Sequence, residues 1–277
     1  MRLLSTWSAA QNEAGAKTGR AIGRDGMRIL LYALIAFAVV FAGGVLGLLV
    51  GRLLPEKYQS DDTQRIVQTA TGMISLITAL VLGLLVATAK GKFDTTNQTT
   101  EALAAKLMLI NRQLVTEAND ARELLRKYTI ARIAAIWPDE AGAKPGPDNP
   151  PPWKLLESLQ QSLSGLTPKT EAQRSETAVA SEAAVDLEKT TWLETAQAAS
   201  HVQQPFVVIL IAWLFVLFVS FGLFAPRNVL VVVALFVGAL AIAGAVLLIV
   251  DMDLPYEGML VVSPEPMQQA LAQMSGS

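Results

Sequence analysis

Two groups of residues in this 277-residue chain have the types and spacing to do chemistry. The first is Thr71, Ser75 and Thr78, continued by Leu82, at helical spacing inside an uncharged apolar stretch. Hydroxyls that give way to a greasy constriction can line an ion pore. The plainer reading, which the sequence alone favours, has each hydroxyl bonded to a carbonyl of its own helix. The second group is Asp251, Asp253, Pro255, Tyr256 and Glu257, directly after the last apolar stretch. Oxygen-rich clusters at a membrane mouth can bind calcium or attract cations. Against that stands a helix-ending turn whose acids pair with Lys and Arg of a neighbour. The sequence favours the turn and leaves the metal unknown. His201 is the sole histidine and there is no cysteine. No nucleophile–base pair, phosphate loop or metal-ligand spacing stands out. Neither a catalytic residue nor a cofactor is expected.

These residues sit on or beside four apolar stretches, Ile29–Val50, Thr71–Ala89, Phe206–Phe224 and Val229–Val250. Each holds 19 to 22 residues without Asp, Glu, Lys, Arg or His. At about 1.5 Å per residue each can cross the roughly 30 Å hydrocarbon core of a bilayer. The expected fold is an all-α membrane protein, with four transmembrane helices as two hairpins around a helical cytoplasmic insertion. The partner this demands is the lipid bilayer. The net charge of −2 gives no basic field for nucleic acid. The spans contain no Asp, Glu, Lys, Arg or His, which argues against a proton-coupled pump. Residues 1–27 have no apolar run of signal length, so the first span reads as an uncleaved anchor, and translation starts at Met1 or at Met27. Arg2, Lys17, Arg20, Arg24 and Arg28 precede the first span, and Lys90 and Lys92 follow the second. That bias puts both termini and the insertion in the cytoplasm.

The segments expected are an N-terminal stretch (1–27), a first hairpin (28–90), the insertion (91–204), a second hairpin (205–250) and a tail (251–277). From Leu103 to Ala135 apolar residues step by three and four, with Glu117 interrupting. This predicts one long helix continuing the second span and ending at Trp137-Pro138. A Pro/Gly-rich loop over 139–152 follows, then an amphipathic helix over 153–166. A last helix opens at Thr167-Pro168 and runs to about Gln203. In the first span, Gly43, Gly47 and Gly51 are four apart. Ala79, Gly83 and Ala87 repeat the pattern in the second, and Ala234 and Gly238 in the fourth. Such spacing lets helix backbones approach, within a chain or between chains.

Several stretches together resemble the bacterial bestrophin-like membrane family. They are Arg52–Pro55, Ala79–Asp94, Phe221–Asn228, Asp251–Gly258 and Ser263-Pro264 with the short helix after it. The resemblance implies distant similarity to bestrophins, which are oligomeric anion channels with the second transmembrane helix lining the pore. It also implies that Asp253, Pro255 and Tyr256 stand where relatives carry an acidic-x-Pro-aromatic segment. The expected function is a multi-pass protein of the bacterial inner membrane, a homo-oligomer that passes a small ion. The alternative is a non-conducting scaffold whose cytoplasmic helices bind a protein partner.

Overall fold

A computed structural model describes residues 24–53, 55, 61–114, 118–138, 150–198, 204–226, 228–256 and 258–275. His201, Glu257, Glu117 and most of the Pro/Gly-rich loop lie outside them. Among the described residues there are eight helices and no strand. We label them α1 Arg24–Leu53, α2 Asp61–Gln113, α3 Asn119–Ile136, α4 Pro152–Ser164, α5 Glu171–Ala198, α6 Gln204–Leu223, α7 Val229–Asp253 and α8 Glu265–Ser275. Three of them, α1, α2 and α7, are long and apolar enough to cross a membrane; in α6 the apolar run is the shorter Val207–Leu223. The chain divides into two units. One holds α1, α2 up to Phe93, α6 and α7 with the turn after it to Val261. The other holds the rest of α2, then α3, α4, α5 and α8.

In the apolar unit, α1 packs against both α6 and α7. A side chain added at Gly43 would meet the Phe215 carbonyl oxygen at 2.8 Å, and one at Gly51 would meet that of Leu223 at 2.5 Å. At Gly47 it would strike the carbonyl of Val219, and at Gly222 that of Gly44. Both partners advance four residues at a time, so α1 and α6 run parallel with their backbones touching. Such contact is open only to glycine and brings Cα–H groups against carbonyls. Helix α7 runs the other way. Gly44 faces Leu235, while Ile29, near the start of α1, reaches Gly258 just past the end of α7. Asn228 opens α7 as its N-cap, accepting a hydrogen bond from the Val231 amide at 2.9 Å. Phe37 and Phe41 stack and meet Phe236 edge-on. Leu82 and Leu85 of α2 pack against the core formed by Val40, Leu210, Leu214, Phe218 and Leu235.

The second unit corrects two expectations. The long helix ends at Gln113, and α3 begins at Asn119. Leu103, Leu107, Ile110 and Leu114 are buried on one arm, and Ala121, Leu125 and Tyr128 on the other. An apolar stripe keeps its period through such a break, so spacing alone could not reveal it. The last insertion helix is opened by Thr170, not by Thr167-Pro168. Thr170 Oγ1 accepts from the Gln173 amide at 3.2 Å, and Gln173 Oε1 accepts from the Lys169 and Thr170 amides at 2.9 and 3.3 Å. This reciprocal capping box satisfies amides that no helix carbonyl can reach. Trp137 closes α3 and donates its indole N–H to the Val262 carbonyl at 3.0 Å. Helix α8 lays Met267 and Ala270 against α3.

The glycine seam makes a sharp prediction. Gly47→Ile pushes a branched side chain into the α6 backbone and should abolish stable folding in detergent, read as loss of the monodisperse elution peak. Gly83→Ile, where nothing lies within 4 Å, should elute as the wild type does. Equal behaviour of the two variants would contradict the packing.

Candidate functional site

Helix α2 carries the first candidate group. Thr71 and Thr78 are buried, Ser75 and Leu82 half-buried. Ser75 Oγ donates to the Thr71 carbonyl at 2.7 Å, and Thr78 Oγ1 to that of Ile74 at 2.8 Å. A hydroxyl bonded this way removes its own polarity from the membrane interior. The stripe thus lies on the face of α2 that turns towards the chain's own helices, the face on which Leu82 and Leu85 meet the core. The opposite face is open. Leu76 and Leu80 are each 74% exposed, and a side chain added at Gly72, Gly83 or Gly91 would meet nothing.

The second group lies at the end of α7, where its carboxylates diverge. Asp251, only 1% exposed, turns inward. Its Oδ1 accepts from the Met259 amide at 2.8 Å and its Oδ2 from the Leu260 amide at 3.0 Å. The chain folds back tightly enough for this because Gly258 adopts φ +123°, a conformation that disfavours side chains. A Cβ there would also strike the Asp251 carboxylate and come within 3.0 Å of Ile29. Asp253 points to α2, where Lys92 Nζ lies 2.6 Å from its Oδ1 and 3.3 Å from its carbonyl oxygen. Pro255 and Tyr256 are half-buried in the turn that Asp251 closes. No group of three or more His, Cys, Asp or Glu among the described residues could hold a metal ion. What the geometry does chemically is fasten. One acid closes the turn after α7, and the other ties the end of α7 to α2. The sequence reading singled out the acids but not their partners. Gly258, seven residues beyond Asp251, was the available signal.

The insertion holds a polar seam that the sequence did not reveal. Arg132 of α3 pairs with Glu194 of α5, and the Tyr128 hydroxyl lies 3.3 Å from Thr191 Oγ1. Lys106 of α2 reaches Asp186 at 2.6 Å and Thr190 Oγ1 at 2.7 Å. Burial pushes the Tyr128 phenol up, and it pushes the Glu194 carboxyl up against the pull of Arg132. Arg132 Nε and Glu194 Oε1 find no hydrogen-bond partner, so the ion pair is satisfied on one side only.

Two outcomes follow. Asp251→Ala strands two turn amides and should cost about 2–4 kcal/mol, read as an early thermal transition in detergent. An unshifted transition would mean that the turn holds itself. The folded chain binds the Glu194 proton more tightly than the unfolded chain does. This group therefore adds stability as pH falls through the carboxylate range and withdraws it as pH rises. Wild type should gain on Glu194→Gln in melting temperature between neutrality and mild acid. If it loses ground instead, pairing with Arg132 outweighs burial.

A family model described as the bestrophin-like domain matches residues 35–267. No curated protein and no solved structure matches the chain. The domain spans far more than half of the sequence, and it takes in α2 with its two contrasting faces and the clasped turn after α7. On that ground the chain belongs to the bestrophin-like family.

Proposed function

We propose that the chain assembles as a cyclic homo-oligomer in the bacterial inner membrane and conducts small anions, with α2 facing the pathway. In this reading α1, α2, α6 and α7 all cross the bilayer as two hairpins, and both termini and residues 91–204 lie in the cytoplasm. The opposed directions of α1 and α7, and the parallel run of α1 and α6, suit that arrangement.

The observation that carries the proposal is the open face of α2. A helix that crosses a membrane with one face on its own chain leaves the other for lipid, for a neighbouring copy or for a lumen. The open face has Leu76 and Leu80, then the small residues Gly83, Ala87 and Gly91, then Thr95 and Gln98. A greasy ring followed by a wider polar exit is a workable conduction path, and apolar constrictions gate by dewetting. In a ring of copies the axis meets the face each chain leaves open. Thr71, Ser75 and Thr78, with Leu82, would then face the chain's own helices, behind the pathway. Asp251 closes the turn that carries Pro255 and Tyr256, and Asp253 holds the end of α7 to α2, so in this reading the acids fasten rather than bind an ion.

Because the chain has no cysteine, single cysteines report cleanly. A thiol reagent should cut chloride flux from liposomes severalfold at Leu76→Cys and Leu80→Cys, and little at Ser75→Cys or Thr78→Cys. The reverse pattern would move the pathway to the hydroxyl stripe, and no response at any of the four would remove α2 from it. Topology is checked by a side-specific reporter fused at Ser277, which should be active only in its cytoplasmic form. Activity of the external form would overturn the orientation.

A further inference from the structure

Helix α5 lies in the unit that holds none of α1, α6 or α7, yet it exposes two apolar side chains on one face. Trp192 is 63% exposed and Val185 43%, two turns apart with Lys189 between them, and Glu182 lies a turn further on. In the same unit α2 exposes Ala102, Leu109 (41% exposed) and Arg112. Exposed tryptophan with apolar neighbours is the composition found where proteins meet.

The levels of these residues can be compared within one chain. Lys106 bonds both Asp186 and Thr190, so position 106 of α2 lies level with about 188 of α5. Tyr128–Thr191 and Arg132–Glu194 advance together, so α3 and α5 run parallel and 188 is level with about 125 of α3. Position 106 lies seven residues before the end of α2 at Gln113, and position 125 six residues after the start of α3 at Asn119. Helices α2 and α3 are therefore antiparallel, and so are α2 and α5. Measured from that common level, Leu109 and Val185 lie about three residues to one side, and Arg112 and Glu182 about six. Ala102 and Trp192 lie about four residues to the other side.

We infer that α5 of one copy docks along α2 of the next, with Trp192 on Ala102, Val185 on Leu109 and Glu182 facing Arg112. This rests on the cyclic assembly proposed above. Copies inserted in one bilayer are related by an axis along its normal, which keeps every residue at its own height. The two stripes then meet in register, with the large side chain opposite the small one, apolar opposite apolar, and acid opposite base. The contact is head-to-tail, so it closes a ring through two different surfaces and not through one surface used twice.

The test uses full-length chains with two different affinity tags, co-expressed in one membrane. Leu109→Cys is placed on one and Val185→Cys on the other, so that a bond between the two tags must join two copies. Oxidation should produce a doubly tagged band of twice the chain mass that reductant removes. The pair Ala102→Cys with Trp192→Cys should do the same, and Leu109→Cys with Trp153→Cys should not. Native mass of the unmodified protein separates the two levels of the argument. An oligomer in which neither matched pair cross-links overturns this docking while the assembly stands. A monomer overturns both.

Discussion

The backbone contact between α1 and α6 is the constraint on which the membrane unit depends. Lipid offers helices no hydrophobic reason to associate, so dispersion and close polar contact must hold them. Gly43, Gly47 and Gly51 meet the carbonyls of Phe215, Val219 and Leu223 in turn. That contact joins residues 172 positions apart, fixes the two helices as parallel and leaves the other side of α1 to receive α7. With α1 held between α6 and α7, α2 meets the core only through one face. Its other face stays open among the described residues.

The two ends of α7 show how polar groups finish what the apolar helices begin. Asn228 supplies the cap at the start. At the far end Asp251 takes two amides of the returning chain, and Lys92 takes Asp253. A buried carboxylate with both oxygens engaged is a fixed corner, and an ion pair beside it joins that corner to α2. The acidic cluster thus has a structural use that its residue types alone would not suggest. In the other unit, the Arg132–Glu194 pair buries charge with Arg132 Nε and Glu194 Oε1 unmet. Such a pair contributes little net stability but penalises any arrangement that separates it.

Much of this was legible in the sequence, in proportion to how local the cause was. Stretches without charge marked the apolar helices, and glycines four apart marked a close approach. The burial of Leu107, Ile110 and Leu114 followed from their period. Non-local facts were not legible. Nothing in Gly43–Gly51 names α6 as the partner, or says that Ala79, Gly83 and Ala87, similarly spaced, stay exposed among the described residues. The break after Gln113 escaped because a stripe of leucines reads alike along one helix or two. Thr167-Pro168 carried the cap signal in the sequence, yet Gln173 sits where only Thr170 can share a capping box with it. The candidate site divided the same way. The acids after α7 announced themselves, whereas Lys92 lies 161 positions from Asp253.

The account stands or falls on whether a ring of these chains carries ions. A scaffold could share the fold, the assembly and every packed contact, and differ only in its central path. The direct measurement is current across a planar bilayer containing the purified wild-type oligomer, with unequal chloride on the two sides. The account predicts discrete steps whose reversal potential follows the chloride gradient. A well-folded oligomer that passes no current across the accessible range of voltage, pH and calcium would contradict it and leave the scaffold.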